Sequence, residues 1–177
     1  IKAATVEKIT EQENLKLVVT DEGDFLTRSV IVATGADHAH LGVPGEEELA
    51  GMGVSYCATC DGAFFKNKVT AVVGGGDVAV EDAIFLARLC SKVYLIHRRD
   101  SFRAAKTLVS ALAKYENIEL VLDSVVDEIH GEDMVEAVTV HNVKSGESKK
   151  LEVNGVFLAV GTKPNSELFA NLVKLTE

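Results

Sequence analysis

The sequence predicts an α/β protein: a parallel sheet wound with helices, closed by an antiparallel meander and flanked by β segments of a second domain. Three observations carry that expectation. Residues 68–122 run strand, helix, strand, helix, strand, which is the rhythm of a doubly wound parallel sheet. A glycine triplet, Gly74 to Gly76, stands where the first of these strands passes into the first helix. On both sides of this core the apolar residues alternate with polar ones, as in half-buried strands.

Taken in order, TVEKIT (5–10) and LKLVVT (15–20) read as paired antiparallel strands, and EGD (22–24) as a turn. SVIVATGA (29–36) is a fully apolar run that ends on Gly35 and Ala36. Residues 37–55 have no regular pattern and carry Pro44, so a domain boundary is expected near residues 37–41. KVTAVV (68–73) is a buried strand and DVAVEDAIFLARLC (77–90) a helix. KVYLIHRR (92–99), SFRAAKTLVSALAKYE (101–116) and IELVL (118–122) follow as strand, helix and strand. Beyond Asp123, the runs 125–131, 134–143, 149–153 and 155–161 (GVFLAVG) are expected to close the domain as an antiparallel meander. VGTKPN (160–165) punctuates the chain a second time.

Composition narrows the function. The 177 residues are 47% hydrophobic, enough for a buried core, and the net charge of −9 argues against nucleic acid or an anionic membrane as partner. No apolar run approaches the ~20 residues of a membrane span, and three cysteines are too few for a disulfide-stapled secreted scaffold. A cytoplasmic protein is expected. The chain opens Ile-Lys-Ala-Ala without an initiator Met, which suggests a larger parent.

The glycine triplet matches a dinucleotide-binding fingerprint, with Gly74, Gly76 and Ala79 in its three marked places. The first glycine allows a tight turn and the second lets the backbone approach a pyrophosphate. Ala79 keeps helix and strand close, and the helix start offers unpaired N–H groups. The candidate phosphate-binding set is thus Gly74, Gly75, Gly76, Asp77, Val78 and Ala79. At the end of the next strand an NAD site usually places an acid, about 20 residues on, against the ribose. Here stand His97, Arg98, Arg99 and, shortly after, Arg103. Guanidinium groups suit a phosphate dianion, so the expected cofactor is NADP.

Cys57 and Cys60 form a CxxC followed directly by Asp61. Structural zinc needs a full tetrahedral set, which only His38 or His40 would help complete, and no second CxxC exists. A thioredoxin-like fold would place the pair at the start of a long helix, for which Gly62 and the strand after it leave no room. An inert thiol pair is the plainer alternative. A redox couple fits better beside an NADP site, because a dithiol exchanges two electrons, the number a hydride carries. A flavin is then expected between nicotinamide and disulfide. Asp61 either trades a proton with a thiolate or caps a turn. Cys90 shares a helical spacing with Val80, Ala83 and Ala87, which marks it as core.

CATCDGAFF, GGGDVAVEDA and HRRDSFRA, in this order, resemble the low-molecular-weight thioredoxin reductases of bacteria, and IVATGA and FLAVGTKPN resemble that family's two interdomain crossings. The resemblance implies that NADPH reduces FAD, FAD reduces the CxxC disulfide, and the dithiol reduces thioredoxin. It implies that Cys60 faces the flavin, Cys57 attacks thioredoxin, Asp61 is the acid–base residue, and Arg98, Arg99 and Arg103 hold the 2′-phosphate. It also marks Thr34, Gly35 and Gly161, at the crossings, as cofactor contacts, and implies a homodimer with hinges near residues 36–41 and 161–165. On this basis residues 1–39 are a remnant of the FAD domain, 40–162 the NADP domain with the CxxC, and 163–177 the return.

Two departures from the family pattern stand out. Asp77-Val78 replaces Asn or Asp followed by a small hydroxylated residue, so a contact near the pyrophosphate is expected to be lost. The family's two flavin motifs are absent, so FAD is expected in the parent and not on this chain. Two alternatives stand beside this reading. One is the flavoprotein subunit of alkyl hydroperoxide reductase, against which the HRR run speaks. The other is a non-catalytic NADP-binding thiol sensor, whose parent would carry no flavin.

Overall fold

A computed structural model describes residues 2–175. Its contacts divide the chain into two units, one formed by residues up to Asp37 with those from Thr162 onward, the other running from His38 to Gly161. In the first unit β1 (Val6–Gln12), β2 (Leu15–Thr20) and β3 (Phe25–Thr27) form an antiparallel sheet in chain order. The apolar run 29–36 forms no strand before β4 (Ala36–His38); Ile31 is 93% exposed and Val32 also faces solvent.

The second unit holds the site. β5 (Val54–Ser55) leads into a one-turn helix α1 (Ala58–Asp61) and a 3-10 turn (Gly62–Phe65). Then come β6 (Val69–Gly74), α2 (Asp77–Ala87), β7 (Lys92–Ile96), α3 (Lys106–Leu112) and β8 (Ile118–Val121). β9 (Ser124–His130), β10 (Ala137–Asn142) and β11 (Ser148–Glu152) form an antiparallel sheet, after which come β12 (Gly155–Ala159) and β13 (Thr162–Pro164). β13 pairs with β4, so both chain crossings between the units lie in this ribbon.

The central sheet is parallel, in the order β5-β12-β6-β7-β8. Its two faces bury different residues. Val72, Val93, Leu95 and Phe157 pack with Ala79, Val80, Ala83 and Leu86 of α2. Ala71, Val73, Ile96, Val156 and Leu158 pack with Val126, Val138, Val140 and Leu151 of the antiparallel sheet. A strand buried on both faces reads as continuous apolar sequence, which is why β6 was legible.

The same rule corrects the expectation for residues 155–161. They do not end the meander; β12 inserts between β5 and β6 and runs parallel to both, with Phe157 beside Val72 and Ala159 beside Gly74. GVFLA has no polar face to offer water, so only a two-sided position satisfies it. The second helix is also shorter than its periodicity predicts, starting at Lys106 and ending at Leu112. The amides of Arg103 and Ala105 bond instead to Gly75 O (2.8 Å) and Asp77 Oδ1 (2.7 Å), which holds residues 101–105 as a loop against the glycine turn. Among the described residues no helix is long and apolar enough to cross a membrane.

Candidate functional site

The glycine turn is shaped by close approaches. Gly74 has φ +153°, and a Cβ there would lie 2.3 Å from Ala159 O and 2.8 Å from Ala79 Cβ. Only glycine lets β6, β12 and α2 meet at this point. A Cβ on Gly75 would run into the His97 ring at 2.1 Å. A Cβ on Gly76 would meet nothing within 4 Å. Open space above this backbone, at the start of an eleven-residue helix, fits a pyrophosphate approaching the first amides of α2.

His97 stands apart from the arginines that follow it. It is buried, its Nε2 lies 3.1 Å from Ser101 O, and its ring stacks on Phe102 at 5.3 Å. Burial first, then the nearby Arg99, Arg98 and Arg103, push its pKa down, against the Ser101 carbonyl. A neutral imidazole thus supports the underside of the turn. Arg98, Arg99 and Arg103 are exposed, and none has an ion pair among the described residues. Asp77 spends its Oδ1 on Ala105 N, and Val78 is exposed on the first turn of α2.

Cys57 and Cys60 are joined as a disulfide, with Cα atoms 5.3 Å apart. Cys57 caps α1: its Sγ accepts from Cys60 N at 3.2 Å. Cys57 is half-buried and Cys60 exposed. Gly62 seats this turn on α2, since a Cβ there would already lie 3.0 Å from Leu86 and Phe85. Phe65 fixes the far end, packing edge-on against Phe157 of β12 (5.3 Å) above Gly155, which has no room for a Cβ.

Three residues that the sequence did not single out hold the approach to the disulfide. Ser55, buried at the end of β5, accepts from Cys57 N (3.1 Å) and donates to Asp61 Oδ2 (2.6 Å). Glu46 is 1% exposed and accepts from Gly42 N (2.8 Å) and Tyr56 OH (3.0 Å), with His40 Nδ1 also at 3.0 Å. Burial first, then the Glu46 carboxylate, pushes the Tyr56 pKa up to about 12. His38 stacks on the Tyr56 ring at 5.1 Å, so both histidines are engaged with Tyr56 rather than with the cysteine sulfurs. Cys90 is a free thiol buried against α2, and burial pushes its pKa up.

At the crossings, Gly35 (φ +69°) and Gly161 (φ +119°) take left-handed backbone. Thr34 Oγ1 donates to Asn165 O at 2.5 Å, and Asn165 N donates to Gly35 O at 3.0 Å. These contacts tie the two passes of the chain together.

A CxxC disulfide on a single helical turn, packed beside the helix that opens from a dinucleotide-type turn, defines a class, and similarity to known proteins agrees. The family model described as pyridine nucleotide-disulphide oxidoreductase matches residues 1–177, and the chain belongs to that family. It is 44% identical over 177 residues to a thioredoxin reductase of Mycolicibacterium smegmatis, covering 100% of this chain and 57% of the relative. To the thioredoxin reductase of Bacillus subtilis it is 42% identical over 168 residues, covering 94% and 53%. The crystal structure of Lactococcus lactis thioredoxin reductase in its FR conformation superposes with TM-score 0.87 at 42% identity, covering 98% of this chain and 58% of that one. The chain therefore spans little more than half the length of these relatives.

Proposed function

We propose that this chain is the NADP-binding, dithiol-bearing part of an NADPH-dependent thioredoxin-disulfide reductase. One observation carries the reading: the Cys57–Cys60 disulfide is carried by α1, which ends at Gly62 against Leu86 and Phe85 of α2, the helix that opens from the glycine turn. The names of the relatives support thioredoxin as the substrate. Residues 40–162 act as the NADP domain, and residues 1–39 and 163–177 belong to an FAD domain. Gly74, Gly75, Gly76 and the start of α2, with Val78 and Ala79, receive the pyrophosphate. Arg98, Arg99 and Arg103 grip the 2′-phosphate, while His97 and Asp77 hold the loop that carries them.

FAD does not fit the described residues in the same way. Their one glycine turn that opens a helix is Gly74 to Gly76, and the flanking unit offers strands and a 3-10 turn. The flavin site therefore lies mainly outside this chain, with Thr34, Gly35 and Gly161 as contacts at the crossings. The chain's own chemistry is thiol exchange. Opening the Cys57–Cys60 bond takes two electrons and two protons and leaves two thiols. The Cys57 thiolate then attacks the thioredoxin disulfide and forms a mixed disulfide, releasing one thioredoxin sulfur. Cys60 attacks Cys57, the original bond reforms, and thioredoxin leaves as a dithiol. Asp61 carries the proton at this step. The parent works as a homodimer in the cytoplasm.

The test is a redox titration of the chain in glutathione or dithiothreitol buffers, read by mass spectrometry. Cys57 and Cys60 should open and close reversibly at a potential between about −270 and −120 mV, the oxidoreductase range. A pair that never re-forms its bond, or that binds zinc stoichiometrically, would overturn the redox role.

A further inference from the structure

Ser55 sits at a junction that the proposed thiol chemistry does not by itself explain. It is 6% exposed, at the last residue of the short parallel strand β5. Its hydroxyl has one proton, and the closest acceptor is Asp61 Oδ2 at 2.6 Å; Cys57 O, at 3.4 Å, is much farther. The same oxygen accepts the Cys57 amide at 3.1 Å. One side chain thus clamps both ends of the CxxCD segment. It fixes the backbone where the first cysteine begins and the carboxylate just past the second.

The bond to a carboxylate is a charge-assisted one, among the stronger hydrogen bonds a hydroxyl can make. Asp61 has no other side-chain partner among the described residues. Without Ser55 its carboxylate loses its one side-chain partner among the described residues and is free to rotate toward solvent. We propose that Ser55 is a positioning residue for proton transfer at the Cys57–Cys60 disulfide, acting through Asp61. This inference rests on the redox reading of the CxxC and adds to it the residue that aims the acid.

The step is testable on this chain with dithiothreitol as the reductant. A dithiothreitol thiolate attacks one protein sulfur, the Cys57–Cys60 bond breaks, and the released sulfur takes its proton by way of Asp61. The second dithiothreitol thiol then closes its own ring and releases the second protein sulfur, which is protonated in turn. Two electrons have passed to the protein, and dithiothreitol is left as the cyclic disulfide.

Stopped-flow reduction should be slowed by Ser55→Ala by about tenfold, a fraction of the 10²–10⁴ that a positioned proton donor contributes. Ser55→Thr, which keeps the hydroxyl, should restore most of the rate. Asp61→Asn should be slow, and adding Ser55→Ala to it should slow it no further. NADP affinity serves as the check that each variant is folded. An unchanged rate in Ser55→Ala would overturn the proposal. So would a Ser55→Thr as slow as Ser55→Ala, or a loss in the Asp61→Asn background as large as in the wild type. If Ser55→Ala does not fold, the Ser55→Thr and Asp61→Asn arms decide: a slow Ser55→Thr or a fast Asp61→Asn contradicts it. A wild-type bond that dithiothreitol never opens would instead sink the redox reading, and this proposal with it.

Discussion

Among the described residues Arg98, Arg99 and Arg103 have no ion pair, although the chain holds 27 acidic residues and has a net charge of −9. Uncompensated guanidinium groups at one site raise the local potential and repel one another, so they are best explained by an anion that neutralises them. An NADP 2′-phosphate fits, because planar donors engage its oxygens in pairs. Replacing Arg98 and Arg99 together by Ala should therefore abolish most of the preference for NADP(H) over NAD(H). At ~1.5–3 kcal/mol for each charged hydrogen bond, the NADP affinity should fall by about a hundredfold or more. NAD affinity should hardly change. Calorimetry with both nucleotides checks this, and equal affinities in the wild type would exclude a 2′-phosphate site. At this scale the sequence was informative where chemistry follows spacing. The CxxC, Asp61 and the arginines stand in recognisable patterns. Ser55 and Glu46 do not, since their partners lie across a turn or an irregular loop and no periodicity marks them.

The glycine turn, α2 and the loop 101–105 behave as one element. His97 fills the space that a side chain on Gly75 would need, and Arg103 N and Ala105 N tie the loop to Gly75 O and Asp77. Because burial holds the His97 pKa below its ordinary value, the unfolded chain takes up that proton first as the pH falls. The stability His97 contributes is full above the unfolded pKa of about 6.5 and is lost as pH falls toward the folded value. Urea unfolding between pH 7.5 and 5 should show the wild type losing part of its advantage over His97→Asn as the pH drops. A constant difference would mean that His97 does not titrate with folding. The strands and helices of this core were legible from their periods. β12 was not, because its place between β5 and β6 depends on a long crossover that local pattern does not encode. The early residues of the second expected helix likewise gave up helical bonds for contacts to a distant glycine turn.

On the scale of the whole molecule, the chain falls into two units of different composition. Residues 38–161 carry the glycine turn and the disulfide. The other unit exposes Phe25, Leu26, Ile31 and Val32, apolar surface of the kind that marks an interface. On the proposed reading, electrons reach Cys57 and Cys60 from NADPH only through a flavin held mainly by sequence outside this chain. The most direct measurement is NADPH oxidation with thioredoxin as acceptor, made on the longer protein and on this chain with FAD added. The longer protein should be yellow and active, Cys57→Ser or Cys60→Ser should abolish its turnover, and this chain should be colourless and inert. Steady thioredoxin-dependent oxidation by this chain, or full turnover by the cysteine variants, would contradict the account.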